Sequence, residues 1–364
     1  MIIVTESLNW KPDPLGVSFE QAELTTIDDA KISLVRYVGD AAGGGEASDD
    51  GEHDGGGAAR GGGSFGAGGG TPGGDRSGSG GEPRGRVRPA VLYVHGFSDY
   101  FFHPHLAQAF AAAGYPFFAV DLRGYGRSMA AHTVVGGNPN MVPEIAVHGR
   151  DLDTAVGAIR ALGHNEVVVL GHSMGGLVAS MWAASRPSAA AALVLNSPWF
   201  DLNESWLLRG PGSAAIQAIS LFAPKAVVGG LKPHYGQALH HSNGGQWDYD
   251  LTWKPHAGFP VQAAWISSIR RAQARLKAGL GISIPILVLS STRSGPSKVW
   301  HPRLTATDSV LNVEHIAAGA AHLGSDVTFV QIAEGAHDLA LSATPQARED
   351  YVAAVLGWLE ARIH

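Results

Sequence analysis

A six-residue turn, residues 171–176 with the sequence GHSMGG, constrains the fold of this chain more than any other stretch. It follows the apolar run 167–170 directly and opens the helix-like run 177–184. The pattern G-x-S-x-G between a strand and a helix holds a serine hydroxyl exposed on a sharp, strained turn. A side chain in place of either flanking glycine would crowd the neighbouring strand and helix. The helix N-terminus behind Ser173 offers backbone N–H groups and a positive dipole, which suit an oxyanion. The same turn could merely join a strand to a helix, so partner residues must decide between the two interpretations.

Strand-like and helix-like segments alternate around this turn, which predicts a doubly wound, mostly parallel sheet with helices on both faces. Continuous apolar runs such as Ala90–Val94 mark strands buried on both faces. The predicted strands are 19–25, 31–38, 90–94, 116–120, 167–170, 192–195, 284–289 and 327–332. The predicted helices are 105–113, 143–162, 177–185, 261–280, 310–323 and 348–363.

Two stretches interrupt the alternation. Residues 39–88 are dominated by Gly, Ser, Asp and Arg, so we predict a disordered insertion that cannot bury enough apolar surface to fold. Residues 198–281 are rich in aromatic residues, Pro and Gly, and we predict a helical cap above the sheet. The remaining ranges, 1–38, 89–197 and 282–364, form the predicted core.

Composition excludes several classes of function. The 364 residues include no cysteine, so disulfides, thiolate catalysis and cysteine-based metal sites are ruled out. The formal net charge of −6 provides no basic field for nucleic acid. We find no signal-peptide pattern near Met1 and no apolar run of about 18 residues, so a cytoplasmic protein is expected. No cofactor or metal is expected, and the oligomeric state is left open.

A nucleophilic serine needs a general base, and His337 is the predicted one. It follows the strand 327–332 through a four-residue turn, so its imidazole should lie at the carboxyl edge of the sheet. Open α/β sheets build their sites at this edge. Most of the other sixteen histidines are expected to be solvated or structural.

The acid that orients this histidine is predicted to be Asp308. The strand 284–289 should deliver it, but no acidic residue occurs in the long loop before Asp308. Glu314 and Asp326 are the alternatives, although Glu314 falls inside a predicted helix and Asp326 begins the next strand at the opposite end of the sheet. Asp308 could also serve as the N-cap of the helix that begins near Val310.

The oxyanion hole is predicted to consist of two backbone N–H groups. One belongs to Met174, the residue after the nucleophile, and the other to Phe97, which follows the sharp turn His95-Gly96 after a buried strand. Each such donor typically contributes about 2.7–4 kcal/mol of transition-state stabilisation.

Four motifs together resemble the serine hydrolases of the α/β-hydrolase fold, and within them the monoacylglycerol lipase and lysophospholipase-like group. They are HGF at 95–97, DLRGYGRS at 121–128, GHSMGG at 171–176 and GAHD at 335–338. In that group the acid follows its strand in a compact turn, whereas here a long loop intervenes before Asp308. The glycine-rich segment has no counterpart in the family pattern.

The resemblance implies that the cap covers the site and supplies an apolar acyl pocket. The aromatic and aliphatic candidates for its lining are Trp199, Phe200, Trp206, Leu207, Phe222, Trp247, Trp253 and Trp265. Each of these residues taken singly is more typical of the core of the cap. The expected partner is a small hydrophobic ester, with transient contact between the cap and a lipid surface.

Three interpretations of the site remain at this point. In the first, the chain is a carboxylic ester hydrolase that forms an acyl-enzyme on Ser173. In the second, the same triad serves an acyltransferase, amidase, peptidase or perhydrolase. In the third, the chain is a non-catalytic binding protein of the same fold. A serine nucleophile argues against the dehalogenase and epoxide hydrolase branches, which use a carboxylate at this position.

Overall fold

The computed structural model describes residues 8–39, 88–203, 211–296 and 298–363. The predicted insertion 39–88 therefore lies outside the described residues except for Gly39 and Arg88, and so do Trp206 and Leu207 of the cap. No helix within the described residues is both long and apolar enough to cross a bilayer.

Nine strands form one sheet in the order β1-β2-β3-β5-β4-β6-β7-β10-β11, and a separate two-stranded sheet pairs β8 with β9. The strands are β1 Lys11–Asp13, β2 Gly16–Thr25, β3 Lys31–Tyr37, β4 Ala90–Val94, β5 Phe117–Asp121, β6 Val167–His172, β7 Ala192–Asn196, β8 Val227–Gly229, β9 Val261–Gln262, β10 Ile286–Ser291 and β11 Val327–Ile332. From β5 to β11 every neighbouring pair in the large sheet is parallel. The first three strands pair antiparallel, and β3 joins β5 antiparallel.

Nine α-helices are found in the described residues. They are α1 Pro104–Ala112, α2 Met129–Val134, α3 His148–Ala161, α4 Met174–Ser185, α5 Pro211–Phe222, α6 His234–Leu239, α7 Ala263–Lys277, α8 Val313–Ala320 and α9 Pro345–Arg362. The helix predicted from residue 143 starts only at His148, after a 3₁₀ turn at Ile145–Val147. Sequence reasoning missed β1, α2 and α6, which are short, and α5, which lies in the cap stretch rich in Pro and Gly.

The core lies on both faces of the large sheet, as the apolar runs predict. In β4, Ala90, Leu92 and Val94 pack into one hydrophobic cluster, whereas Val91 and Tyr93 pack into a second. Successive side chains of a strand point to opposite faces, so a strand that is apolar throughout is buried on both. The α/β-hydrolase fold predicted from the sequence is confirmed.

The parallel order brings four loops to one edge of the sheet. The carboxyl ends of β4, β6, β10 and β11 lead respectively to Phe97, Ser173, Asp308 and His337. Because neighbouring parallel strands end on the same side, these loops meet above the centre of the sheet.

Candidate active site

Ser173 stands on the turn between β6 and α4 in a strained backbone conformation, with φ 52° and ψ −116°. The glycines around it are required by close backbone contacts. A Cβ at Gly175 would lie 2.4 Å from the carbonyl oxygens of Val94 and His95, and one at Gly171 would lie 2.7 Å from the Gly175 oxygen. These distances are too short for any real Cβ, so the turn can form only with glycine at both positions.

The base and the nucleophile are in hydrogen-bond contact. The Nε2 atom of His337 lies 3.0 Å from the Ser173 hydroxyl oxygen. The exposed fraction is 4% for His337 and 8% for Ser173, so the pair is nearly closed to bulk water.

The predicted acid, Asp308, lies on the other side of the His337 imidazole. The Nδ1 atom of His337 lies 3.1 Å from the Asp308 carboxylate, which is fully buried. A carboxylate can only accept, so the ring proton is placed on Nδ1 and Nε2 is left to accept the proton of Ser173. This is the arrangement that a serine nucleophile requires.

Asp308 reaches the imidazole because the long loop folds back onto the end of β10. The Asp308 amide donates to the Arg293 carbonyl at 3.1 Å, and its carbonyl accepts from the Gly295 amide at 2.8 Å. Asp308 therefore lies beside the residues that directly follow the strand, although 16 residues separate it from the end of β10 at Ser291.

The carboxylate of Asp308 is also held by the backbone. Its Oδ1 atom accepts from the amides of Val310 at 3.0 Å and Leu311 at 2.7 Å. These bonds lie in the loop, and the N-cap of α8 is Asn312, so Asp308 is not the cap of that helix. The alternative acids lie elsewhere: Glu314 is exposed on α8, and Asp326 pairs with Arg362.

The loop after β4 brings the second predicted oxyanion donor next to the nucleophile. A Cβ at Gly96 would lie 3.2 Å from the Cβ of Ser173, so the backbone that precedes Phe97 passes directly beside the serine. Within the described residues, no hydrogen bond is formed by the amides of Phe97 or Met174. Neither of the two predicted oxyanion donors is therefore engaged elsewhere in the part of the chain that the structure describes.

A second buried network beneath the base was not predicted from the sequence. Asp338 accepts a hydrogen bond from the side-chain Nδ2 of Asn196 at 2.8 Å and contacts His103 Nε2 at 2.9 Å. Burial acts to raise the pKa of Asp338, but the neighbouring His172 and His103 and the Asn196 amide hold it well below its usual value. Asp338 stands next to His337 in the chain, whereas its partners come from distant elements, so spacing alone could not connect them.

Two groups of described residues have the donor types of a metal site, and both are already occupied by protein contacts. Near the nucleophile, Asp99, His172 and Asp338 converge, but Asp99 receives Lys254 at 2.6 Å and Asp338 contacts His103. In the cap, His240, His241 and Asp248 converge. There the His240 Nδ1 atom already accepts from the Ser242 amide at 3.1 Å.

The predicted pocket aromatics separate into groups. Phe97, in the loop after β4, has its ring centroid 4.4 Å from that of Trp265, and Trp265 lies 5.8 Å from Trp199 on the same measure. The other described candidates lie elsewhere: Trp247 and Trp253 pack into a separate small cluster, Phe200 packs against Gly319, and Phe222 is 90% exposed.

The fold and these contacts define a chain of the α/β-hydrolase class with a Ser-His-Asp arrangement at the carboxyl edge of its sheet. The family model described as "Serine aminopeptidase, S33" matches residues 85–341, and the chain belongs to this family.

Individual curated proteins are similar to part of this chain. A monoacylglycerol lipase of Mycolicibacterium smegmatis is 36% identical over 121 residues, which cover 32% of this chain and 39% of the relative. An epoxide hydrolase 4 of Mus musculus is 30% identical over 133 residues, covering 35% and 33%. The chain thus matches less than half the length of these curated relatives. The predicted resemblance to the monoacylglycerol lipase group is confirmed.

A solved structure of a similar protein agrees at the level of the fold. The monoacylglycerol lipase of Paleococcus ferrophilus superposes with a TM-score of 0.55 at 19% identity. The match covers 76% of this chain and 96% of that one.

Proposed function

We propose that the chain is a carboxylic ester hydrolase that forms an acyl-enzyme on Ser173. One observation carries the proposal: the continuous contact from Ser173 Oγ through His337 to the buried Asp308, at 3.0 and 3.1 Å. The family match and the monoacylglycerol lipase relative support ester hydrolysis.

The mechanism follows from the polarity of these contacts. His337 Nε2 takes the hydroxyl proton as Ser173 Oγ attacks the ester carbonyl, and Asp308 stabilises the imidazolium that results. The amides of Phe97 and Met174 receive the negative charge on the carbonyl oxygen. His337 then protonates the leaving alcohol, and an activated water releases the acid from Ser173 by the same steps in reverse.

The substrate that we propose is a hydrophobic ester of the monoacylglycerol or lysophospholipid type. The ring of Phe97, whose amide is the predicted oxyanion donor, packs on Trp265, and Trp265 packs on Trp199. This aromatic group supports an apolar surrounding for the start of an acyl chain bound to Ser173. A panel of p-nitrophenyl esters of increasing chain length tests this, and we expect kcat/KM to rise with the length of the acyl chain. A preference for acetate over all longer chains would reject a lipid-like substrate.

A peptidase is the second candidate, because the family model carries the description of a serine aminopeptidase. An aminopeptidase has to bind the free ammonium group of its substrate, which calls for an unpaired carboxylate. Of the described acidic side chains next to the nucleophile turn, Asp99 is paired with Lys254 and Asp338 with His103. This favours esters over peptides, and comparing aminoacyl p-nitroanilides with p-nitrophenyl esters separates the two.

The nucleophile itself is tested with a fluorophosphonate probe. We expect the probe to label the wild type and not Ser173→Ala, and we expect the variant to lose ester hydrolysis by a factor of about 10⁴ or more while remaining folded. Labelling or activity that survives in Ser173→Ala would reject the mechanism. A folded wild type that is neither labelled nor active would favour a binding protein.

We further propose that the cap contacts lipid surfaces. Three large apolar side chains of the cap are strongly exposed: Leu221 at 78%, Phe222 at 90% and Val227 at 64%. Exposed apolar groups gathered in one segment are typical of an interaction surface. Phe222→Ser should lower co-flotation with phosphatidylcholine vesicles and leave hydrolysis of a short soluble ester unchanged. Equal flotation of the variant and the wild type would reject this contact.

A further inference from the structure

The loop after β4, residues 95–103, is called the oxyanion loop, and three of its consecutive residues are bonded to one segment of the cap. This segment, residues 250–259, is called the cap strap. The Ser98 hydroxyl accepts from the Phe259 amide at 2.8 Å, and the Tyr100 hydroxyl accepts from the Asp250 amide at 2.8 Å. Between them, the Lys254 ammonium donates to the Asp99 carboxylate at 2.6 Å. The loop that presents the Phe97 amide is therefore anchored to the cap.

The ion pair between Lys254 and Asp99 is buried, and Asp99 also contacts the backbone next to Phe97. Asp99 is 2% exposed, and its second carboxylate oxygen accepts from the Gly96 amide at 3.3 Å. The Lys254 side chain is 14% exposed, and its ammonium lies over the ring of Phe102 at 5.2 Å. Burial acts to raise the pKa of Asp99, but Lys254 and neighbouring histidines lower it, so the carboxylate stays charged.

The loop has little freedom in this position and needs external support. Ser98 has a φ of 51°, which is unfavourable for a residue with a side chain. Such conformations persist only where the surrounding structure enforces them. The strap approaches Ser98 closely, since a Cβ at Gly258 would lie 3.0 Å from the Ser98 hydroxyl oxygen.

We propose that Lys254 is a positioning residue for the oxyanion hole, which acts through Asp99 to hold the Phe97 amide beside Ser173. A movement of the cap strap would then also displace the Phe97 amide, because the bonds from the strap hold the oxyanion loop in place. This inference rests on the proposed ester hydrolysis at Ser173.

The test removes the charge of Lys254 and compares esters with thionoesters. Lys254→Met keeps an unbranched apolar side chain and loses the bond to Asp99. We expect kcat on p-nitrophenyl butyrate to fall about 10- to 100-fold, with KM within about threefold of the wild type. Sulfur is a poor ligand for a well-formed oxyanion hole, so the rate ratio of oxoester to thionoester should fall about tenfold or more in the variant.

A second ion pair of the cap provides matched controls. Lys277 lies 2.7 Å from Asp201 and has no contact with the oxyanion loop among the described bonds. Lys277→Met should leave both kcat and the rate ratio unchanged. Asp99→Asn should reproduce Lys254→Met, and the double variant should be no worse than either single one, because both changes break the same contact.

The outcomes separate this inference from the proposed function. A rate ratio in Lys254→Met equal to that of an active wild type overturns the positioning role, even if stability and kcat fall. Retention of wild-type kcat by Lys254→Met overturns it as well. If Lys254→Met does not fold, Asp99→Asn breaks the same ion pair, and an unchanged ratio there has the same meaning. A wild type without ester hydrolysis or labelling of Ser173 rejects the proposed function itself.

Discussion

The nucleophile turn and the acid loop both deliver one side chain to His337, and they do so by opposite means. The nucleophile turn, residues 171–176, places Ser173 through contacts between residues that are adjacent in the chain or in neighbouring strands. The acid loop, residues 292–308, places Asp308 through a long excursion that closes on itself by backbone bonds to Arg293 and Gly295. The comparison shows that a side chain can be placed by a short turn whose close contacts dictate the sequence, or by a long loop that backbone hydrogen bonds hold in place.

The largest expected effect is steric and falls on the nucleophile turn. In Gly175→Ala the new methyl group would meet two backbone oxygens at 2.4 Å, and neither can move without shifting β4. We expect the free energy of unfolding to fall by at least about 3 kcal/mol and labelling by a fluorophosphonate to be lost.

The matched control for this change is Gly157→Ala, an exposed glycine of α3 with nothing within 4 Å of the added methyl group. Alanine is a better helix former than glycine by about 1 kcal/mol, so the control should be neutral or slightly stabilising. If Gly175→Ala melts at the same temperature as Gly157→Ala, the steric account of the turn is wrong.

The next effect is chemical and falls on the acid loop. In Asp308→Asn the side-chain oxygen can still accept from the amides of Val310 and Leu311, so the loop should keep its conformation. The negative charge beside His337 is lost, and we expect kcat to fall about 10³- to 10⁴-fold with little change in KM. Glu314→Gln is the control and should retain wild-type activity. An equal loss of activity in Glu314→Gln would show that the acid has been misidentified.

These two regions also explain how far the sequence could be interpreted without a structure. The turn at Ser173 and the base His337 were predictable because each follows an apolar strand by a few residues, so the position along the chain fixes the position in space. Asp308 could be chosen only by eliminating Glu314 and Asp326, since nothing local indicates that the loop returns to Arg293.

The parts that sequence reasoning missed all depend on tertiary contacts. The strap bond from Lys254 to Asp99 joins residues 155 positions apart, and the bond from His103 to Asp338 spans 235. Histidines and carboxylates of this kind are common on protein surfaces, so the residue types give no signal until the fold brings them together.

A smaller effect is expected from a glycine of the acid loop. A Cβ at Gly295 would lie 2.2 Å from the Thr307 hydroxyl oxygen and 2.6 Å from that of Ser309. Both are ends of side chains that can rotate, unlike the backbone oxygens around Gly175. We expect Gly295→Ala to fold, to lose about 1–2 kcal/mol of stability and to reduce kcat about tenfold through a displaced Asp308.

The double variant Gly295→Ala/Thr307→Ala sharpens this prediction, because it removes one of the two colliding hydroxyl groups. Part of the lost activity should return. Activity in the double variant that is no higher than in Gly295→Ala would mean that the collision with Thr307 is not the cause.

The last expected effect concerns the response of the nucleophile turn to acid. His172, in the nucleophile turn, is buried, and burial lowers its pKa to about 4 from the ordinary value of 6.5. The folded state therefore takes up this proton only near pH 4, whereas the unfolded chain takes it up near 6.5. The stability associated with neutral His172 is thus present in full above pH 6.5 and is lost as the pH falls toward 4, by about 1–3 kcal/mol.

Urea unfolding at pH 7, 6, 5 and 4 measures this loss. His172→Gln should reduce the slope of the free energy of unfolding against pH over that range. A slope in His172→Gln equal to that of the wild type would place the acid sensitivity outside the nucleophile turn.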